Sequence, residues 1–332
     1  MKQILKFISI AIPAFTLLLL AGCDNDNDAT VDSPIAARIT STIASGNTET
    51  LAALPTGMPA TRASESAFTP GDCIGVSATS PQGITAYVNI RYATSGTGSD
   101  FTVVNAAGED NDIYFQDKLP VNFTAYYPYE GTNGTRPGAN GIIARTLTTA
   151  HQAEDALPGI DYLWSAVDGI TSAAPQVRFI FAHRMSRLKL NFVEGSGMHF
   201  PAGGLTYTLD GLRQAGTFNT LNGAADADAD APIAKLEGIP VSTIAQHTLS
   251  TLILWPQEAA TAKITVVVEG ISFGATIQLP ALPTTAGVPR LAPGYSYTYN
   301  VKVNKTGIEI GKAEITPWTQ GTGGDVNAKE ED

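Results

Sequence analysis

Val177-Arg178-Phe179-Ile180-Phe181-Ala182-His183, followed closely by Arg187-Leu188-Lys189-Leu190-Asn191-Phe192, decides the fold class. Val177, Phe179 and Phe181 share one parity against Arg178, Ile180 and Ala182. Leu188, Leu190 and Phe192 do the same against Arg187, Lys189 and Asn191. Successive side chains of a strand point to opposite faces, so both stretches read as half-buried strands. They are not the wholly apolar runs of a parallel sheet, which points to antiparallel pairing. Ile264, Val266 and Val268 repeat the pattern, as do Tyr295, Tyr297, Tyr299, Val301 and Val303 against Ser296, Thr298, Asn300 and Lys302. Glu269-Gly270 has the chemistry of a two-residue hairpin turn leading into residues 271–279.

Working outward, the carboxy-terminal half offers strands at 177–183, 188–193, near Phe218, 249–255, 264–269, 271–279 and 295–304, then a last segment at 308–318. The amino-terminal half offers 37–43, 74–78, 87–92, 101–104, 113–116, 121–127 and 162–166. This predicts an all-β chain of two tandem antiparallel β-sandwich domains, residues 35–172 and 173–319, with 169–175 as the boundary. Charged residues are only 15%, and 32 Gly and 20 Pro in 332 residues suit a turn-rich fold with a sizeable core.

The amino terminus reads differently. Lys2 and Lys6 precede an apolar run at 7–20, too short to cross a bilayer as a helix, which needs ~20 residues. It has the length of a signal-peptide core. Leu20-Ala21-Gly22-Cys23 resembles the bacterial lipobox, implying a signal peptide at 1–22 and lipidation of Cys23 by palmitate-type chains. Two or three such chains hold a protein stably on a membrane where one does not. Asp24, Asp26 and Asp28 open a flexible acidic tether, 23–34, resembling tags that send lipoproteins to the outer face of the outer membrane. Without Lys2 and Lys6 the chain has 18 basic and 31 acidic residues, a charge of −13, which argues against nucleic acid as a partner. With Cys23 acylated, Cys73 has no disulfide partner within the chain.

Seven stretches together resemble the fimbrillin family, the type V pilins and their relatives. Gly71-Asp72-Cys73-Ile74-Gly75-Val76 is similar to its GD-x-IGV strand, and 121–129 (VNFTAYYPY) to its aromatic strand. Residues 161–164 (DYLW) with 177–192 are similar to its LLW and F-x-H-x-L-S-K-L block. Residues 252–257 (LILWPQ), 291–297 (LAPGYSY) and 315–318 (ITPW) are similar to its closing elements. The resemblance implies two sandwiches of transthyretin-like topology and a place in surface fimbriae, as a structural subunit or an accessory component serving cell adhesion.

It also implies a way to assemble. In polymerising members an arginine-specific protease removes the lipid anchor and the first strand, and the exposed groove takes a donor strand from a neighbouring subunit. Here the displaced strand is 37–43, with Ile39, Ser41 and Ile43 on one face, and the cut falls at Arg62, with Arg38 as rival. Cleavage at Arg38 leaves that strand attached. The candidate donor strand is 308–318: Ile308 and Ile310 share a face, Gly311 is expected to bulge, and Ala313 and Ile315 resume with opposite parity. Whether it enters a neighbour or closes its own domain stays open at this point. The tail 320–332 is Gly-rich, acidic and expected to be disordered. Implied partners are other fimbrial subunits, the arginine-specific protease and the outer membrane. The alternative is a monomeric outer-surface lipoprotein that binds glycans or host or bacterial surface ligands and keeps its anchor.

Other constellations carry less. Asp226, Asp228, Asp230 and Glu237 have calcium-loop spacing, but Ala231 stands where the tight turn needs Gly, so an acidic loop is the stronger reading. His183 has the inward parity of Phe181 and is expected to hydrogen-bond a neighbour at its strand end. No His or Cys spacing supports a metal, no cofactor is implied, and no catalytic set is found. Cys73 reads as a small core residue. Tyr126, with parity opposite to Tyr127, is a candidate either to stack on sugars or to pack under a loop.

Overall fold

Strand alternation governs the structure, a computed structural model that describes residues 34–44, 67–95, 100–104, 110–242, 248–282 and 287–318. The signal peptide, Cys23, nearly all of the tether, Arg62 and the tail from 320 lie outside these residues. The first strands are β1 (Arg38–Ile43), β2 (Cys73–Thr79), β3 (Ala86–Ala93), β4 (Thr102–Val103), β5 (Val121–Tyr127), β6 (Ile142–Thr146), β7 (Leu163–Ile170) and β8 (Gln176–His183). Next come β9 (Ser186–Glu194), β10 (Leu205–Arg213), β11 (Ala215–Asn219), β12 (Ala225–Ala227), β13 (Ile233–Val241), β14 (Leu249–Leu254) and β15 (Gln257–Glu258). The last are β16 (Thr261–Val268), β17 (Ile271–Gln278), β18 (Arg290–Leu291), β19 (Tyr295–Asn304), β20 (Gly307–Ile310) and β21 (Glu314–Pro317).

Three sheets matter most. The first has the order β1-β8-β7-β5-β2-β3-β4. It surrounds one core in which Ile39, Val76, Phe123, Tyr127, Phe179 and Phe181 are buried together. Farther along, β13-β10-β16-β17 and β14-β9-β19-β20 face each other across a second core holding Leu190, Phe192, Tyr207, Ile264, Tyr297 and Tyr299. This is sheet-on-sheet packing with alternate residues turned inward. A small sheet, β12-β11-β6, joins strands from both halves. Its Phe218 stacks on Tyr162 at 4.6 Å, and Trp255 stacks on Tyr162 at 5.8 Å.

Local chemistry explains the recognisable motifs. Gly75 leaves room for Tyr126, whose ring carbon would lie 2.3 Å from any β-carbon there. Asp72 accepts from the Tyr127 hydroxyl at 3.1 Å and from the Thr69 amide at 2.7 Å, tying β2 to β5. Val268 pairs directly with Ile271, so Glu269-Gly270 is the two-residue hairpin turn read from sequence. Both residues have positive φ, 50° and 79°, as a type I′ turn requires.

Several expectations need correction. The 169–175 stretch is not a boundary between sheets: Thr171 bridges Ala174, and β7 and β8 pair through Leu163↔His183 and Trp164↔Ala182. The chain passes from the first sheet to the second between His183 and Ser186, and β6 pairs with β11 across the presumed domains. A Gly/Ser/Pro-rich turn and a linker have the same composition, so sequence could not separate them. Two ladders, β1–β8 and β9–β19, are parallel rather than antiparallel, and strand alternation states the face of a strand but not its direction. Cys73 is half-buried, its Sγ 3.2 and 3.3 Å from the Arg91 guanidinium, so it is not a core residue. Residues 113–116 form only a bridge at Tyr114, while β6, β10 and β13 were not anticipated. Leu205, Tyr207 and Leu209 alternate and could have revealed β10; β13 is masked by the register shifts along its pairing with β10.

Burial gives the aromatic core a pH signature. It pushes the phenols of Tyr92, Tyr126, Tyr162 and Tyr207 well above their ordinary value. The folded state therefore holds these protons more tightly than the unfolded chain, whose tyrosines titrate near pH ~10. Stability should be undiminished by these groups below that pH and decline as pH rises beyond it. Ionisation followed at 295 nm should show a delayed class of tyrosines that titrates together with loss of the sheet circular-dichroism signal. Uniform titration of all eleven tyrosines near pH ~10 with the sheet signal intact would contradict this.

Candidate functional site

The two segments read as exchangeable occupy opposite cores. In β1 the inner face carries Ile39, Ser41 and Ile43, 3%, 2% and 4% exposed, with Ala37 just before it also buried. These sit beside Val177, Phe179 and Phe181 of β8, register partners of Ile39, Ser41 and Ile43. Burying two isoleucines is worth roughly 3–6 kcal/mol, so the strand is held by a modest fraction of the core.

β1 ends the order of the first sheet, yet its outer edge is covered. The Ala37 amide donates to the Ile113 carbonyl (2.8 Å), Phe115 donates to Ile35 (3.0 Å), and Phe101 donates to Ile39 (3.1 Å). Phe101 directly precedes β4, the opposite end of the same sheet. β1 therefore acts as the stave that brings the two ends of the sheet together. Removing it would leave unpaired backbone groups on both sides of one slot, which is the arrangement that accepts an added strand.

Phe68, six residues beyond Arg62 in sequence, is buried in the first core, 3% exposed. Its ring meets Phe101 edge-on at 5.2 Å, and Tyr127 and Phe181 at 5.5 Å each. A chain starting at Ala63 would keep this anchor. Arg38 is the first residue of β1, and its amide donates to the Pro175 carbonyl at 2.9 Å. A cut there would fall inside the paired ladder and leave Ile39–Ile43 in place.

The carboxy-terminal segment closes its own sandwich. β20 pairs with β19 through Ile308↔Val303 and Ile310↔Val301, and β21 through Ile315↔Tyr297. Three residues, 311–313, stand opposite two, Tyr299 and Asn300, so the anticipated bulge is present and the Gly311 amide donates to the Asn300 carbonyl. The bulge restores parity, and Ile308, Ile310, Ala313 and Ile315 all pack, partly buried, against the second core. Trp318 then plugs the junction of the two large sheet systems. Its ring stacks on the His183 imidazole at 4.0 Å and 7°, and the Arg187 guanidinium lies 4.8 Å from its centre. His183 is buried, with Nδ1 3.0 Å from Asp161, as its parity led us to expect.

The remaining candidates do not form sites. Asp226 lies in β12, opposite Thr217, with Arg290 3.6 Å away. Burial pushes the Asp226 carboxyl up, and Arg290 opposes that shift. Asp228 and Asp230 occupy the following turn, whereas Glu237 is in β13 of another sheet. The calcium reading is thus overturned: extended strands separate these carboxylates, and no three His, Cys, Asp or Glu side chains gather among the described residues. Tyr126 is also unavailable to sugars. It is 3% exposed, lies in a cluster with Phe218 of β11, and its hydroxyl contacts Asn89 and the Glu130 carbonyl.

Comparison with known proteins agrees with this architecture. The profile of a family described as fimbrillin-like matches residues 61–318. A candidate fimbrium subunit, Fim1C of Bacteroides uniformis, is 25% identical over 314 residues, covering 92% of this chain and 93% of that protein. The crystal structure of a candidate cell adhesion protein from Bacteroides ovatus superimposes with a TM-score of 0.72 at 29% identity, covering 87% of this chain and all of the other. One from Bacteroides uniformis gives 0.61 at 21% identity, covering 85% and 98%, and supports the fold alone.

Proposed function

The chain belongs to the fimbrillin-like family of surface fimbrial proteins, and from that premise we propose that it is exported as a lipoprotein and assembled by strand replacement. Its family is structural rather than enzymatic. Lipidation at Cys23 delivers it to the outer face of the outer membrane, and cleavage at Arg62 by an arginine-specific protease releases anchor and β1 together. The vacated slot then takes the 308–318 segment of another fimbrial subunit.

One observation carries this reading: β1 is a sheet-terminal strand whose removal opens a slot in the first core while Phe68 keeps the remainder anchored. The bulged, aliphatic carboxy-terminal segment has the four apolar side chains such a slot calls for. Its place on β19 in the single chain is then a resting arrangement. Intact mass and amino-terminal sequencing of the chain in shed fimbriae provide the test. A new terminus at Ala63 is expected; recovery of nothing but acylated Cys23 would instead identify a tethered surface binder and overturn strand release.

A further inference from the structure

β1 has a flaw in its inner face. Ser41 is 2% exposed, sits between the buried side chains of Ile39 and Ile43, and has Phe179 as its register partner. Its hydroxyl has no hydrogen-bond partner among the described residues. A buried polar group without a partner loses its hydration and gains nothing in return. The outward residue Thr40 is better placed, since its hydroxyl donates to the Val177 carbonyl at 3.4 Å. By contrast, the four residues that the carboxy-terminal segment turns toward a core, Ile308, Ile310, Ala313 and Ile315, include no polar side chain.

We propose that Ser41 sets how readily β1 leaves the sheet, weakening the resident strand relative to an incoming strand that fills the same position with an apolar group. This rests on the strand-replacement reading above and adds its controlling residue. The flaw sits in the middle of the inward row, where one unsatisfied group weakens the strand without emptying the slot. A resident strand of Ala37, Ile39 and Ile43 alone around a methyl group would be a tighter plug. The partner that fits is a second fimbrial subunit offering an extended segment with a hydroxyl-free inner face.

The test compares full-length wild type, Ser41→Ala and Ile39→Ala. Each is cut by limited digestion with an arginine-specific protease and challenged with a synthetic peptide of residues 306–318. Release of the fragment containing β1 is followed by size exclusion and mass. Ser41→Ala should slow release by about tenfold, the scale of one unsatisfied buried hydroxyl, while Ile39→Ala should speed it. Release from Ser41→Ala at the wild-type rate or faster overturns the proposal. Hydrogen exchange of amides 39–43 in the uncut chain reads the same property without any assembly. Greater protection in Ser41→Ala supports the role of Ser41 even if the peptide never displaces β1 from wild type, an outcome that would sink strand replacement instead. Unchanged protection overturns it.

Discussion

Arg62→Ala should abolish fimbrial ladders while leaving the folded chain intact. The reason is competition between a tethered strand and a free one. While joined to the rest of the chain, β1 experiences an effective concentration on the order of millimolar, so a donor at about micromolar concentration is outcompeted by roughly a thousandfold. Cutting the connection removes that advantage, and the fragment is left held by the parallel β1–β8 ladder, slightly weaker per residue than an antiparallel one, and by the few backbone bonds of its outer edge to Phe101, Ile113 and Phe115. Arg38→Ala should have little effect, because cleavage at 38 leaves Ile39–Ile43 attached. Purified variants treated with the protease and run on a denaturing gel report both results. Ladders from Arg62→Ala at wild-type intensity would mean that release occurs elsewhere or is not needed.

Trp318→Ala should destabilise the chain by about 3–5 kcal/mol, the usual cost of emptying a buried aromatic site. Trp318 is 4% exposed and lies between elements of both large sheet systems: His183 ends β8, and Arg187 belongs to β9. Its loss would leave a cavity, unstack the imidazole and remove the plug that ends β21. The effect should reach the donor segment, with amides 308–317 losing protection before the first core does. Trp318→Phe, which keeps an aromatic face over His183, should recover part of the loss. Urea unfolding gives the total, and hydrogen exchange gives the location. A shift below ~1 kcal/mol, within the range of ordinary surface substitutions, would show that the stack is not a support.

The accuracy of the sequence reading followed the range of each interaction. Which side chains of 177–183, 188–193 and 295–304 face a core was legible, because parity is local and a one-residue slip would turn the whole row outward. The 269–270 turn was legible for a similar reason, since adjacent residues with positive φ leave a strong preference for glycine. His183 followed from the same parity. Tyr126 shows the limit. Its opposition to Tyr127 was correct, but the face it occupies is covered by β11, whose partners β6 and β12 lie on either side of it in the sheet and far apart in the chain. No local pattern records that cover. The calcium spacing failed in the opposite sense: it presumed a loop where the chain becomes two strands of different sheets.

By itself, the sequence determined an all-β chain, the inward rows of its principal strands, the bulge at Gly311 and the motifs that mark its family. Each is written in neighbouring residues through alternation, turn conformation or close packing within one hairpin. Only the tertiary structure decided that β1 lies parallel to β8 and draws together the ends of its sheet, that 169–175 is an internal turn, and that Trp318 reaches His183. It also decided that the Ser41 hydroxyl is buried without a partner among the described residues. Such facts depend on which distant segments become neighbours, and an alternating pattern states the face of a strand but not the identity or direction of the strand beside it.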